Sequence, residues 1–189
     1  MVSQLQPNES LEARLRSMVQ ADAQLLALLA CVRAIGLKDW CIAAGAVRNR
    51  VWQQLHGQTS LCQPNDVDVC YFDADLPPDH ARQVQAALAA AQPEVHWDVV
   101  NQAWAHLFNG LAAVGSLAQG LASRPETATA VGVWLDETGQ VQVLAPLGLD
   151  DLFGLQLRRN PAFANEDVFR QRLTQKQWQR HWPLLTLQD

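Results

Sequence analysis

An α+β fold is predicted by three observations along the chain. Residues 40–44, Trp-Cys-Ile-Ala-Ala, are an apolar strand candidate that runs directly into Gly45 and a helical repeat. Residues 66–72 form a second strand candidate, and its Asp66-Val67-Asp68-Val69 start carries acids at alternate positions. Residues 127–135 are β-rich and lead through Asp136-Glu137-Thr138-Gly139-Gln140 into a short apolar run at 141–144, which reads as a hairpin. Helices punctuate the early strands and follow the late hairpin, a mixture of elements rather than a regular β-α alternation.

Taken in order, residues 1–6 read as a frayed start, and Asn8 or Ser10 is positioned to cap a first helix bearing Leu11, Leu15 and Met18. Leu25, Leu28, Leu29, Val32 and Ile35 continue at helical spacing until Gly36, with Asp22 interrupting the stripe, so one helix or two is open. Residues 1–37 thus form an N-terminal helical segment packed on one compact unit of residues 38–189. Residues 46–55 are the helix after Gly45, and residues 58–65 a polar loop. Pro77 and Pro78 open an Ala-rich helix to residue 91, with Asp75 as the expected cap. Residues 95–100 are a third strand, carrying Asp98 between apolar neighbours. A final polar helix spans residues 165–180, and Trp182-Pro183 ends it. Trp40, Trp52, Trp134, Trp178 and Trp182 are expected to anchor the packing of core and helices.

Composition narrows the function classes. The chain has 189 residues, 49% hydrophobic and 17% charged, enough apolar material for an ordinary core. Its net charge of -5 and lack of a Lys/Arg run argue against an extended nucleic-acid footprint. Cys31, Cys41, Cys62 and Cys70 form no C-x-x-C pair, so reduced structural thiols are expected rather than a zinc knuckle. The longest apolar run, residues 25–32, is too short to span a bilayer, and a polar start without a signal pattern leads to the expectation of a soluble cytoplasmic protein with no membrane partner.

The acids carry the chemistry. Side chains alternate across a strand, so Asp66 and Asp68 share a face. No basic residue of that strand pairs them, and two like charges on one face suit a hard cation of the Mg²⁺ or Mn²⁺ kind. If the third strand lies beside the second, Asp98 completes the set as a further ligand or as a general base. Gly45 permits close backbone approach, and the helix after it offers free N–H groups and the positive end of its dipole to phosphate oxygens. Arg48 in the first turn is unfavourable for that dipole, which suggests a nearby anion: a phosphate, or a strand-end carboxylate such as Asp66. Asn101 and Gln102, just past the third strand, are candidate polar contacts to a ligand if Asp98 faces the site. His106 has equal claims to a structural and a site role. Thr127 is a candidate ligand contact set against simple β propensity. Asp150 and Asp151 fit the start of a short helix, and Arg158 and Arg159 a solvated pair.

The run Ala44-Gly45-Ala46-Val47-Arg48-Asn49 followed by Asp66-Val67-Asp68 resembles the G-G-x-V-R-D … D-x-D arrangement of the DNA polymerase β-like nucleotidyltransferase superfamily, which includes tRNA CCA-adding enzymes. Further stretches at 66–73, 97–103, 125–133, 146–153, 176–178 and 182–183 are similar to a bacterial family of small nucleotidyltransferase-like proteins. The resemblance implies a nucleotidyltransferase fold, a mixed β-sheet flanked by helices. It also implies transfer of a nucleoside monophosphate from a nucleoside triphosphate, with Mg²⁺ or Mn²⁺, to a small-molecule, protein or short RNA acceptor. Metal ligation maps onto Asp66, Asp68 and Asp98, and triphosphate contact onto Gly45 and Arg48, with Asn49 beside them. Two residues depart from the pattern. Ala44 replaces a Gly, and Asn49 replaces the Asp of V-R-D, keeping an oxygen acceptor but no charge. A non-catalytic nucleotide-binding or regulatory module of the same fold is the alternative.

Overall fold

The computed structural model describes residues 10–58 and 66–188. The expected frayed start, the Asn8 cap, Cys62 and most of the 58–65 loop lie outside the described residues. At the N-terminus, α1 (Leu11–Gln20) and α2 (Ala23–Ala34) are separate helices. Ser10 caps the first, accepting from the Ala13 amide at 3.1 Å, and Asp22 caps the second, accepting from Leu25 at 2.9 Å. Asp22 therefore ends one helix and starts the next, because its carboxylate satisfies an amide that the helix cannot.

The main sheet contains β1 (Trp40–Ala43), β2 (Val67–Tyr71), β3 (Trp97–Asn101), β4 (Gly132–Leu135) and β5 (Val141–Leu144), in the order β3-β2-β1-β4-β5. Only β2 and β3 pair in parallel, and the connection between them is α4 (His80–Ala91). All other pairs of this sheet are antiparallel, so it is mixed, as expected. Helix α3 (Gly45–Leu55) follows β1 directly.

One face of the sheet buries Ile42, Val69, Val99 and Val133 with Leu29 and Val32 of α2, Val51 and Trp52 of α3, and Leu88 of α4. The other face has a smaller core, in which Cys41, Ala43 and Cys70 meet Leu117 and Leu121 of α6 (Leu117–Ala122). Two glycines allow α6 to lie this close. A methyl group at Gly132 would sit 2.5 Å from Cys41 Sγ and 3.1 Å from Leu121, and one at Gly120 would collide with the Gln102 side chain at 2.5 Å. On this second face Ala43 is covered, while Asp68 stays half-buried and Asp98 exposed.

The remaining elements are α5 (His106–Asn109), α7 (Asp150–Phe153), α8 (Glu166–Lys176), α9 (Trp178–His181) and a separate parallel pair, β6 (Gln156–Arg158) with β7 (Thr186–Gln188). Three expectations are corrected. The β-rich stretch at 127–135 begins as a 3₁₀ turn at Thr127–Thr129, and only Gly132 onward is strand. The final helix is broken at Gln177, whose φ of 46° is left-handed, so Trp178 re-enters the core on a second short helix. The Ala-rich helix starts at His80 behind Asp79, and Asp75 sits in the preceding turn, where its amide donates to Asp73 Oδ1. Among the described residues no single helix is long and apolar enough to cross a membrane.

Candidate active site

The C-terminal end of β1 gathers the site. In the strand register Ala43 opposes Asp68 on one side and Gly132 on the other, and Asp68 is the parallel partner of Asp98. Register partners present their side chains to the same face, so the Asp68 and Asp98 carboxylates are neighbours on the second face of the sheet, directly beside the turn into α3. Asp66 precedes β2 by one residue and lies on that face by alternation. Burial raises the Asp68 carboxyl above its ordinary value, with Asp98 and Asp66 adding to the rise and Arg124 and Arg48 opposing it. The three acids therefore share one electrostatic neighbourhood.

The acids do not form a ready metal cage. Asp66 accepts an ion pair from His96 Nδ1 at 3.0 Å, and Asp68 Oδ1 stands 3.8 Å from Arg124 Nη1. Among the described residues no three acidic, His or Cys side chains are drawn together tightly enough to hold a metal ion. The donor set is nevertheless of the right kind for a hard divalent cation, because all three groups are carboxylates and two are strand-register neighbours.

The turn into α3 is strained. Ala44 has φ 52° and ψ -119°, a conformation that residues with a Cβ avoid and that suits a glycine. Its backbone is pinned by an amide bond to Val131 O at 3.0 Å, while its own carbonyl accepts from Val47 at 3.1 Å and Arg48 at 2.8 Å. That closure leaves the Gly45 and Ala46 amides at the helix start without a backbone partner among the described residues, the donors an anion uses at a helix N-terminus. A methyl group added at Gly45 would meet nothing nearer than Arg48 Nη2 at 3.8 Å. The protein itself does not need a glycine at position 45.

Arg48 is buried, at 6% exposure. Its guanidinium lies between Trp52 and Trp178, at 4.8 and 5.0 Å from the ring centroids. Nη1 donates to Thr129 Oγ1 at 3.0 Å, and Nε and Nη2 donate to Asn49 Oδ1 at 3.2 and 2.9 Å. Burial lowers its pKa to about 10, with the buried Glu126 opposing the drop. Among the described residues Arg48 thus pairs directly with neither Asp66 nor another carboxylate. Asn49 is its clamp. Glu126, fully buried, takes its cation from α8 instead, where Arg172 Nε and Nη2 donate to the two carboxylate oxygens at 2.6 and 3.1 Å.

Three expected contacts are placed elsewhere. Asn101 has the opposite strand parity to Asp98, and its side chain turns inward. Its Oδ1 accepts from the Asp73 and Ala103 amides, each at 3.1 Å, and its Nδ2 donates to Asp73 O at 2.7 Å, so it is a structural clip for the turn after β2. Gln102 shares the parity of Asp98 but packs against Gly120 of α6. Thr127 spends its hydroxyl on Asp151 Oδ2 at 2.7 Å, and Asp151 also pairs with Arg158 at 3.1 Å. His106 stands beside Trp104, with ring centroids 6.4 Å apart, and is not among the groups acting on Asp68. An apolar cleft of about 510 Å³ lined by Trp40, Leu117, Trp134 and Leu144 opens at the far end of β1, and none of the three acids lines it.

Sequence reasoning missed Arg124 and Thr129. Arg124 is the cation facing Asp68, and also donates to Cys70 Sγ at 3.1 Å. Burial opposes its charge, but Cys70 and Asp68 together hold its pKa above the ordinary arginine value. The available signal was a single Arg immediately after an apolar segment, just before Pro125.

This fold has counterparts among solved structures. One, described as the NMR structure of a protein that reveals a CCA-adding enzyme head domain, superposes with a TM-score of 0.82 at 30% identity over 93% of this chain and 94% of that one. Two structures described as tRNA-processing enzymes share the fold at 17% and 18% identity, each with a TM-score of 0.53. The chain spans under half the length of those two, 43% and 44%. No curated protein matches it. Residues 30–187 match a family described as nucleotidyltransferase, and the chain belongs to that family.

Proposed function

We propose that the chain moves a nucleoside monophosphate from a nucleoside triphosphate to a hydroxyl-type acceptor, with Asp66, Asp68 and Asp98 as the acidic centre. The observation that carries this reading is the register pairing of Asp68 with Asp98 beside the Ala43–Gly45 turn, in a chain of the nucleotidyltransferase family. Asp66, Asp68 and Asp98 would hold Mg²⁺ or Mn²⁺, which when bound supplies charge neutralisation for the reacting phosphate oxygens. The chain's own groups do the rest. The free Gly45 and Ala46 amides and the α3 dipole bind triphosphate oxygens, and the Arg48 guanidinium adds positive potential beneath the turn. Asp98, exposed where its register partner Asp68 is half-buried, accepts the proton of the acceptor hydroxyl as its oxygen bonds to the α-phosphorus. The bond to the bridging oxygen breaks, and pyrophosphate leaves with the electron pair. The acceptor class includes small molecules, proteins and short RNA. The likeness to structures described as CCA-adding and tRNA-processing enzymes makes an RNA 3′ hydroxyl the first to try.

A thermal-shift panel of the four nucleoside triphosphates, each with and without Mg²⁺ or Mn²⁺, tests the reading. At least one nucleotide raises Tm only with metal, and Asp68→Asn abolishes that shift. A flat panel, or a shift that Asp68→Asn leaves intact, refutes it. The ungathered acids and the Asn49 substitution favour a second reading, a nucleotide-binding module without turnover. It gives the same metal-dependent shift but no pyrophosphate release with any acceptor pool.

A further inference from the structure

The guanidinium of Arg124 occupies the space over Asp68 that a cation on this carboxylate must share. Its Nη1 lies 3.8 Å from Asp68 Oδ1, and its Nη2 donates to Cys70 Sγ, two residues along the same strand face. The root of the side chain is firmly held. The Arg124 amide donates to Leu121 O at 3.1 Å, and the buried Asn160 side chain donates to Ala122 O at 2.6 Å and Arg124 O at 2.9 Å. The tip is not. Among the described residues its two partners are a carboxylate beyond hydrogen-bond distance and a thiol, a weak acceptor. An anchored stem with a loosely held charged head is built to exchange partners. The contrast with Arg172, whose two nitrogens hold Glu126 at 2.6 and 3.1 Å, shows what a permanent pair looks like in the same molecule.

We propose that Arg124 is the internal counter-cation of the acidic centre: it neutralises Asp68 beside Asp98 while no divalent cation is bound, yields Asp68 when one binds, and then turns its guanidinium to the polyphosphate. The inference rests on the reading that Asp68 and Asp98 take a divalent cation. It accounts for the ungathered state of the acids, because the half-buried Asp68 beside a like-charged register neighbour needs a compensating cation and Arg124 stands 3.8 Å from it. It also makes Arg124 a positioning residue with opposite effects on metal and on nucleotide. Removing it frees Asp68 for the ion and deprives the polyphosphate of a donor fork.

The test uses Mn²⁺ alone, titrated into the full chain by calorimetry, with Tm read in parallel. Proteins are wild type, Arg124→Gln, Arg124→Lys and Asp68→Asn. Arg124→Gln lowers Tm in chelator and binds Mn²⁺ about fivefold more tightly, the fold-change expected from losing one partly exposed ion pair. It then binds Mn²⁺-nucleotide more weakly than wild type does. Arg124→Lys, which keeps the charge but not the fork, falls between the two in Mn²⁺ affinity. If Arg124→Gln does not fold, Arg124→Lys carries the test, and any tightening of Mn²⁺ binding supports the inference. Equal or weaker Mn²⁺ binding by the Arg124 variants, with wild type binding and Asp68→Asn not, overturns the counter-cation role and leaves the metal-site reading standing. No Mn²⁺ binding by any of the four overturns both.

Discussion

Two charged regions lie on either side of the turn into α3, and they are built differently. On one side Arg48, Glu126, Arg172, Trp52 and Trp178 form a buried lattice. Both oxygens of Glu126 are taken, and Arg48 is stacked against two rings and hydrogen-bonded to Thr129 and Asn49. On the other side Asp66, Asp68 and Asp98 carry like charges on one face, where Asp66 meets the exposed His96 imidazole and Asp68 has Arg124 at 3.8 Å. The first region is satisfied in the absence of any ligand. The second is not, and burial already disfavours the ionised form of Asp68. The difference teaches where each region's free energy goes. The lattice holds α8, α9 and the turn at residues 126–129 against α3, whereas the acids keep charge in reserve for something outside the chain.

The largest expected effect breaks the lattice. Glu126→Ala takes the partner from the half-exposed Arg172, leaves the buried Arg48 without its compensating carboxylate, and costs about 3 kcal/mol of stability. Urea unfolding reads this as a lower midpoint with little change in slope. A loss under about 1 kcal/mol would mean the two regions do not differ in kind. Arg48→Met is next, at about 2 kcal/mol, since it removes two cation–π contacts and strands Thr129 and Asn49 while keeping the bulk between the tryptophans. The same measurement checks it.

A smaller effect separates the acids by their pH behaviour. Asp68 has a folded pKa raised above its ordinary 3.8, so its contribution to stability is present below that value and is lost as pH rises through the folded pKa. Asp68→Asn therefore gains on wild type as pH rises through that window. Asp136, in the β4–β5 turn, is the opposite case. Its carboxylate accepts from Thr138, Gln140 and Gln142, which lowers its pKa from 3.8 to about 2, with the Thr138 hydroxyl bond the leading cause. Its contribution is present above 3.8 and lost as pH falls through about 2, so the deficit of Asp136→Asn fades on acidification. Unfolding curves at stepped pH should diverge in opposite directions for the two variants. Parallel curves would remove the distinction between a carboxylate the fold satisfies and one it does not.

How much of this was legible in the sequence follows from the range of the forces involved. The first three strands follow from short apolar runs bounded by turn signals, and the face shared by Asp66 and Asp68 from period-two alternation, both local properties. The same rule, applied through residue 101, places Asn101 opposite to Asp98, so that misplacement was avoidable. The Thr127–Thr129 turn was read as strand because β-branched residues suit both, and only the packing against α7, where Asp151 accepts from Thr127, decides it. Arg172 and Glu126 are 46 residues apart, and Arg124 and Asp68 stand on elements that the sheet topology alone brings together. The break at Gln177 is likewise tertiary, because a polar residue with no glycine signal adopts φ 46° so that Trp178 can stack on Arg48.

The turn itself yields the two smallest stability effects. Ala44→Gly relieves the strain of φ 52° and, net of the added freedom of the unfolded chain, gains about 1 kcal/mol. Gly45→Ala costs nothing sterically, since the added methyl group has 3.8 Å of clearance, and it gains a few tenths of a kcal/mol, roughly, from helix propensity. Its effect on ligand binding goes the other way. The methyl group would project beside the free Gly45 and Ala46 amides, where a polyphosphate approaches, so the metal-dependent nucleotide shift shrinks or vanishes in a protein at least as stable as wild type. That opposition of sign is the sharpest form of the comparison, because a glycine retained for folding would lose both together. If Gly45→Ala binds nucleotide as wild type does, the α3 turn is not the phosphate seat, and the acids must be assigned a ligand that approaches from another side.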